Sequence, residues 1–340
     1  MGSALVKDPI IYERRTNNLV EEKVPIKLKT ALQFLFGTML GRCIVLTPHF
    51  RSYLKRVTLE KGWRYDAKES KAEIAEFISG YGIDTNDMEK PLDEYETLNE
   101  FFYRRLKAEA RPIAAKDDPA VLVSPCDCRI HVFPTVTEAK TIWVKGKRFN
   151  IRNLTGSERA ASVFENGSVV ICRLAPTDYH RFHSPVQGVV GDDPFAWLGQ
   201  EYYTVKKLAI CTPLNVLTEN KRLYFSIRTE VFGEVGVVIV GAAHVASIKM
   251  SKREGEEVKK GEELGYFAYG MVACPHCALF SSPSFLLCCL LHYLCCVCNM
   301  RYAFHFGVHY AMFARCLHSC GVYALVCLVD TWVGRRVERW

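Results

Sequence analysis

The sequence predicts an α+β chain: N-terminal helices followed by a β-rich, mainly antiparallel core. Two observations carry this. Apolar residues recur at helical spacing up to about residue 110, and from Ala120 to Gly270 the period changes to two, with turn residues at short intervals and no βαβ alternation. With 340 residues, 49% apolar and 24% charged, the chain is long enough for two folded units, and a disordered or collagen-like protein is excluded. The balance of 44 Lys+Arg against 37 Asp+Glu, net +7, is too mild for a nucleic-acid binder. It suits an anionic ligand or an anionic membrane surface.

The first helix is expected over 26–46. Leu28, Leu32, Leu35, Met39 and Cys43 follow helical spacing, Phe36 and Leu40 widen the stripe, and Pro48 stops it. Lys27, Lys29 and Arg42 lie alongside, so two readings stay open: a helix packed on its own domain, or one lying in a membrane interface. Arg42 argues against a simple span. The N-terminus has no long apolar run to act as a secretory signal, and Val6 stands where a myristoylation motif wants Ser or Thr. A second helix is expected near 50–60 and a third near 70–79, with Ile74, Phe77 and Ile78 on one face and Gly80 and Gly82 closing it. Thr97-Leu-Asn-Glu100 reads as a capping box that opens a helix running to Pro112.

Eight strand-like runs follow: 120–124, 128–134, 140–146, 168–174, 188–192, 223–231, 234–243 and 244–250. After Gly270 the composition changes. Five cysteines (Cys43, Cys126, Cys128, Cys172, Cys211) lie in the first 270 residues and read as reduced core thiols; ten lie in 271–340, which has five Arg, one Asp, one Glu and no Lys. Residues 271–300 carry no Asp, Glu, Lys or Arg, and are long enough for a membrane span, although Pro283 and two His weaken that reading. Cys274-Pro-His-Cys277 and Cys295-Cys-Val-Cys298 resemble zinc ligand pairs, but polar, glycine-bearing surroundings are lacking.

The densest chemical string is Pro176-Thr-Asp-Tyr-His-Arg-Phe-His-Ser-Pro185. His180 and His183, beside Asp178 and Arg181, suit acid–base chemistry, and no further ligand set at metal spacing stands in the body. The string resembles the phosphatidylserine decarboxylase family, whose marker is D-Y-H-R-x-H followed by Pro. Ser124-Pro-Cys-Asp127 is similar to its S-P-x-D turn, and Phe101-Phe102-Tyr-Arg-Arg-Leu-Lys107 to its N-terminal helix. Asn215–Arg222, Gly241-Ala-Ala243 and Lys260–Gly270 extend the resemblance over roughly residues 25–270. The expected division of the chain is 1–95, a helical region whose readings include a membrane-facing one; 96–270, the decarboxylase-like core; and 271–340, a Cys-rich apolar tail.

The resemblance implies a self-processing enzyme that makes phosphatidylethanolamine and CO2 from phosphatidylserine. A Ser in a Gly-Ser-Thr motif attacks the preceding carbonyl, and the cut leaves a pyruvoyl group that forms a Schiff base with the substrate amine. Asp127 falls on the charge-relay Asp and His183 on the charge-relay His; His180 falls on the position linked to decarboxylation. Taken alone, Asp127 is a turn former.

The match stops at the nucleophile. After Gly270 the chain reads Met271-Val272-Ala273-Cys274, so Val272 stands where the cleavage Ser is expected. Ser281, Ser282 and Ser284 come later without a preceding Gly, and Cys128 replaces a usual Gly. The tail is either an exchanged end (retained intron, frameshift or mistaken gene model) or an evolved alternative ending. Without the family's last strand, a neighbouring strand is expected to present an unpaired apolar edge. The chain is therefore expected to be an inactive decarboxylase without its pyruvoyl group. The alternative is a non-catalytic lipid-binding pseudoenzyme. A biotinyl- or lipoyl-type carrier is disfavoured because Lys249-Met250 reverses the carrier order. Expected partners are phosphatidylserine and an anionic intracellular membrane, mitochondrial or endomembrane; no nucleic acid is expected.

Overall fold

The computed structural model describes residues 10–13, 18–21, 25–137, 150–191, 196–210, 212–271, 323–329 and 337–338. Helices come first and a mainly antiparallel β core follows, the α+β arrangement that the change of period predicts. Two units are formed, Met1–Val45 with Leu279–Ser319, and Leu46–Ala278 with Cys320–Trp340.

In the first unit, β1 (Ile10–Glu13) pairs antiparallel with β2 (Asn18–Glu21), and two helices follow, α1 (Ile26–Gly37) and α2 (Met39–Val45). The expected continuous stripe over 26–46 is broken. Thr38 is extended; its hydroxyl donates to Phe34 O and accepts from Gly41 N–H, so it ends one helix and caps the next. The helices bend by 88°. Leu28, Leu32, Leu35 and Phe36 are buried while Met39, Leu40 and Cys43 are exposed. No single helix among the described residues is long and apolar enough to cross a membrane; only this bent pair passes that test together.

The second unit opens with α3 (Pro48–Asp66), where Thr47 accepts from Phe50 N–H and Pro48 fills the first turn. Next comes α4 (Ile74–Tyr81), closed by Gly82 at φ 63°. Ile74, Ile83, Met88, Tyr95, Leu98 and Phe101 form its core, with Phe77 and Ile78 packed against them. The capping box is half as expected: Thr97 Oγ1 accepts from Glu100 N–H, but Glu100 Oε2 accepts from Glu96 N–H. The helix it opens, α5 (Leu98–Phe102), is far shorter than predicted. The following backbone pairs instead with 87–89: Glu89 N–H donates to Arg105 O and Lys107 N–H to Asp87 O.

The strands are β3 (Leu122–Val123), β4 (Arg129–Phe133), β5 (Ser168–Leu174), β6 (Arg181–His183), β7 (Gly188–Val190), β8 (Ala196–Leu198), β9 (Arg222–Thr229), β10 (Gly233–Val240), β11 (Val245–Met250), β12 (Glu257–Val258), β13 (Glu263–Ala268) and β14 (Gly270–Met271). The strand expected over 140–146 lies outside the described residues. Two short helices that the sequence reading missed, α6 (Ile151–Thr155) and α7 (Glu158–Val163), start at Asn150 and Ser157, whose side chains accept from Asn153 and Ala160 N–H. Lys249 sits inside β11 opposite Tyr266, not at a hairpin tip, which removes the carrier reading.

The tail corrects an expectation. β15 (Tyr323–Val329) lies between β10 and β5 in the main sheet, order β12-β7-β9-β10-β15-β5-β4, antiparallel to both neighbours. Val326 stands opposite Val238 on one side and Ile171 on the other, and Ala324–Val329 are all buried. No apolar edge is left at that place. Every position of Ala324-Leu-Val-Cys-Leu-Val329 is apolar, which suits a central strand buried on both faces. β16 (Val337–Glu338) pairs parallel with β3. The Cys274/Cys277 and Cys295/Cys298 pairs lie outside the described residues. The second sheet, β14-β11-β13-β6, carries the histidine string and ends at Met271.

Candidate active site

Two neighbouring backbones bring the predicted residues together. His183 N–H donates to Pro125 O at 2.8 Å, and Val123 N–H to Pro185 O at 3.0 Å. The turn carrying Asp127 therefore lies beside β6. The side chains are engaged differently from a direct charge relay. Both oxygens of Asp127 accept from Arg111 at 2.8–3.1 Å, and Arg111 also reaches Asp87 at 2.8 Å. His183 Nδ1 lies 3.0 Å from Gly261 O. Burial lowers the His183 pKa to about 4; Gly261, Glu263 and Asp127 oppose the shift. The imidazole is therefore neutral near pH 7 and able to take a proton.

His180 sits at the other end of β6. Its backbone is left-handed, φ 55°, a strained conformation for this residue type. Its ring is fully buried and stacks on Phe102 with centroids 3.7 Å apart, and its carbonyl accepts from Phe267 N–H. Phe102 also touches Tyr269, centroid distance 4.2 Å, so His180 is on the Gly270 side of the site. Burial, helped by the nearby Arg104, holds it neutral. Arg104 is itself buried, donates to Thr177 O, and is pulled down to about 10 by desolvation.

The segment that would present the nucleophile is tightly held up to Met271. Asn99 brackets Tyr269: its Oδ1 accepts from Tyr269 N–H at 2.9 Å and its amide nitrogen lies 3.4 Å from Tyr269 O. Gly270, at φ 90°, donates to His244 O and packs on Gly62 of α3. A Cβ on Gly62 would lie 2.5 Å from Gly270 Cα. Gly62→Ala should therefore destabilise the fold by about 1–3 kcal/mol, measured by denaturant unfolding. Gly80→Ala, where an added Cβ meets nothing within 4 Å, is the neutral control. Equal stabilities of the two variants would refute the close approach. Val272 lies just beyond the described residues.

Asp178 has a structural task. It accepts from Ala175 N–H at 2.6 Å and lies 3.7 Å from Arg129, but burial outweighs both and raises it to about 7. In the unfolded chain it titrates near 3.9. Between those values the folded state holds a proton that the unfolded state has lost, so this group's stabilisation is complete at low pH and declines as pH rises to about 7. The lowered histidines act oppositely: their contribution is lost as pH falls below ~6.5. Asp178→Asn keeps the acceptor and removes the titration. Its unfolding free energy should gain on that of the parent from about pH 4 to about pH 7, by up to ~2–4 kcal/mol, with the melting temperature rising alongside. Parallel melting curves across that range would contradict the assignment.

Asn99, Gly62, Arg104 and Arg111 were not read as site residues from the sequence. Each acts on a segment distant along the chain, and only Arg104, inside the Phe101–Lys107 string, carried any local signal.

Comparison with known proteins gives the family. The family model for phosphatidylserine decarboxylase matches residues 98–271. The chain is 40% identical to phosphatidylserine decarboxylase proenzyme 2 of Komagataella phaffii over 264 residues, 77% of this chain and 26% of that protein. It is 38% identical to proenzyme 2 of Oryza sativa subsp. japonica, covering 42% of it. It is 36% identical to the Fusobacterium nucleatum proenzyme over 262 residues, 77% of this chain and 84% of that protein. The chain thus spans about a quarter of the length of the yeast relative. The ordered motifs from Leu98 to Met271, the paired Asp127 turn and His183 strand, and these relatives lead to one conclusion: the chain belongs to the phosphatidylserine decarboxylase family.

Proposed function

We propose that the chain is a phosphatidylserine decarboxylase-like protein of phospholipid biosynthesis that, for want of its self-cleavage serine, stays one uncut and inactive polypeptide. One observation carries the second half of this reading. β14 brings the chain in fixed register to Met271, Val245 opposite Gly270 and Ala246 opposite Met271, and the next residue is Val272. A pyruvoyl group has to be made from a hydroxyl or thiol side chain, and Val272 offers neither. The residues present do not fit that group, so no decarboxylation step is assigned to this sequence. Asp127, His183 and His180 remain as the charge-relay and proton-transfer positions, with a neutral His183 as the base they would supply. A non-catalytic lipid binder is the second reading, favoured by the same valine.

The site of action is an intracellular membrane surface, mitochondrial or endomembrane. Exposed Ile26, Met39 and Leu40, with Lys27, Lys29 and Arg42 in the same two helices, support contact with anionic lipid. At about 1 kcal/mol per basic residue, the preference for phosphatidylserine vesicles over phosphatidylcholine vesicles should be on the order of 100-fold at low salt. It should shrink as ionic strength rises. Co-sedimentation with no preference between the two vesicle types would refute the lipid assignment.

A further inference from the structure

We propose that Cys126, Cys128 and Cys172 form a binding site for a soft d10 metal ion, zinc(II) in the first instance, which ties the Asp127 turn to the central sheet. The three Sγ atoms lie within 4.8 Å of one another. Around a zinc ion with Zn–S bonds of about 2.3 Å, tetrahedral thiolates stand about 3.8 Å apart. The sulfurs therefore need to close by no more than about 1 Å, within the reach of χ1 adjustments. Two of the donors come from one turn as Cys-x-Cys, and the third from β5, which pairs with β4 immediately after the turn. A ligand set split in this way escapes a search for spacing along the sequence.

The surroundings favour a cation. Cys126 and Cys172 are buried and Cys128 is partly exposed, so the cluster is enclosed but reachable from one side. Soft thiolate donors select zinc or copper(I) over hard cations, and each must lose its proton on binding. Three thiolates and one zinc(II) leave one negative charge. Ser124 Oγ lies 3.8 Å from Cys128 Sγ, and a water would complete the tetrahedral set as fourth ligand.

The consequence concerns Asp127, which is flanked by two of the three ligands. The ion would fix the turn that aims this carboxylate, making the cysteines positioning residues. The inference does not depend on the proposed lipid function.

The test uses the full chain, purified reduced and given zinc. Peptide mapping after N-ethylmaleimide treatment should find Cys128 protected, by about 100-fold when free zinc is 100 times its dissociation constant. EDTA should remove the protection. The wild-type chain suffices for this measurement, so no variant has to fold. Elemental analysis adds a second readout. Because the tail carries further cysteines, the decisive figure is a difference: Cys128→Ser and Cys172→Ser should each lose one zinc per chain relative to the parent. Cys128 labelling indifferent to zinc, whether fast or slow, would overturn the proposal. So would an unchanged zinc content in both variants, or a Cys126–Cys172 disulfide in the freshly isolated protein.

Discussion

The 340-residue chain should run as a single full-length band on a denaturing gel, carry no pyruvoyl terminus and release no CO2 from phosphatidylserine. Self-cleavage needs a nucleophile one bond from the carbonyl it attacks, so adjacency at 271–272 is a covalent requirement that no distant side chain can meet. Val272 has no lone pair, and Asp127 and His183 can orient and deprotonate only a hydroxyl that is present. The repair is specific: M271G/V272S/A273T, followed by an apolar strand in place of the next residues. Cutting should then appear between 271 and 272, because Asn99, Gly62 and β11 already hold the segment up to Met271.

Removing a base from Ser-His-Asp machinery costs on the order of 10⁴–10⁶ in rate, so His183→Ala in the repaired chain should abolish cutting on any practical timescale. His180→Ala should leave cutting intact. The geometry makes this pair of variants informative, since His180 is nearer Gly270 while His183 is held by Gly261. Cutting that survives in His183→Ala and fails in His180→Ala would exchange the two roles. Two fragments with a pyruvoyl terminus from the unrepaired chain would overturn the reading and point to Ser281 or Ser282.

Much of this site was legible in the sequence because its parts are local strings. Pro176–Pro185 and Ser124–Asp127 each keep their functional residues within ten positions, and turn and strand signals surround both. The side-chain partners were not legible. Arg111 takes both oxygens of Asp127, and Asn99 reaches Tyr269 across most of the chain; no spacing rule announces either contact. The 26–46 stripe failed for a different reason. Periodicity sees apolar residues, not the hydroxyl of Thr38, which competes for backbone groups and splits the helix. At 98–110 helix propensity lost to tertiary pairing, as Arg105 and Lys107 joined the 87–89 segment. The tail was read through its composition, and its cysteine content obscured an uncharged strand of seven residues.

That strand sets the second large effect. β15 is flanked on both sides, so its removal opens two edges at once, on β10 and on β5, where the surrounding residues are fully buried. A chain ending at Met271 should therefore aggregate or melt without cooperativity. A milder variant keeps the question quantitative. Leu325 is fully buried between Ile239 and Cys172, and Leu325→Ala should cost about 2–5 kcal/mol through lost burial and the cavity left behind. Against a total stability of roughly 5–15 kcal/mol, that is a large fraction, visible as a lower denaturant midpoint with an unchanged slope. Val326→Asp would place a carboxylate with no counter-charge beside Val238 and Ile171 and should abolish folding. Hydrogen exchange gives an independent reading: the amides of 324–329 should be protected as strongly as those of β10, because both belong to the centre of one sheet. Fast exchange at 324–329 together with an unaffected Leu325→Ala would mean that β10 and β5 are completed by something other than this tail.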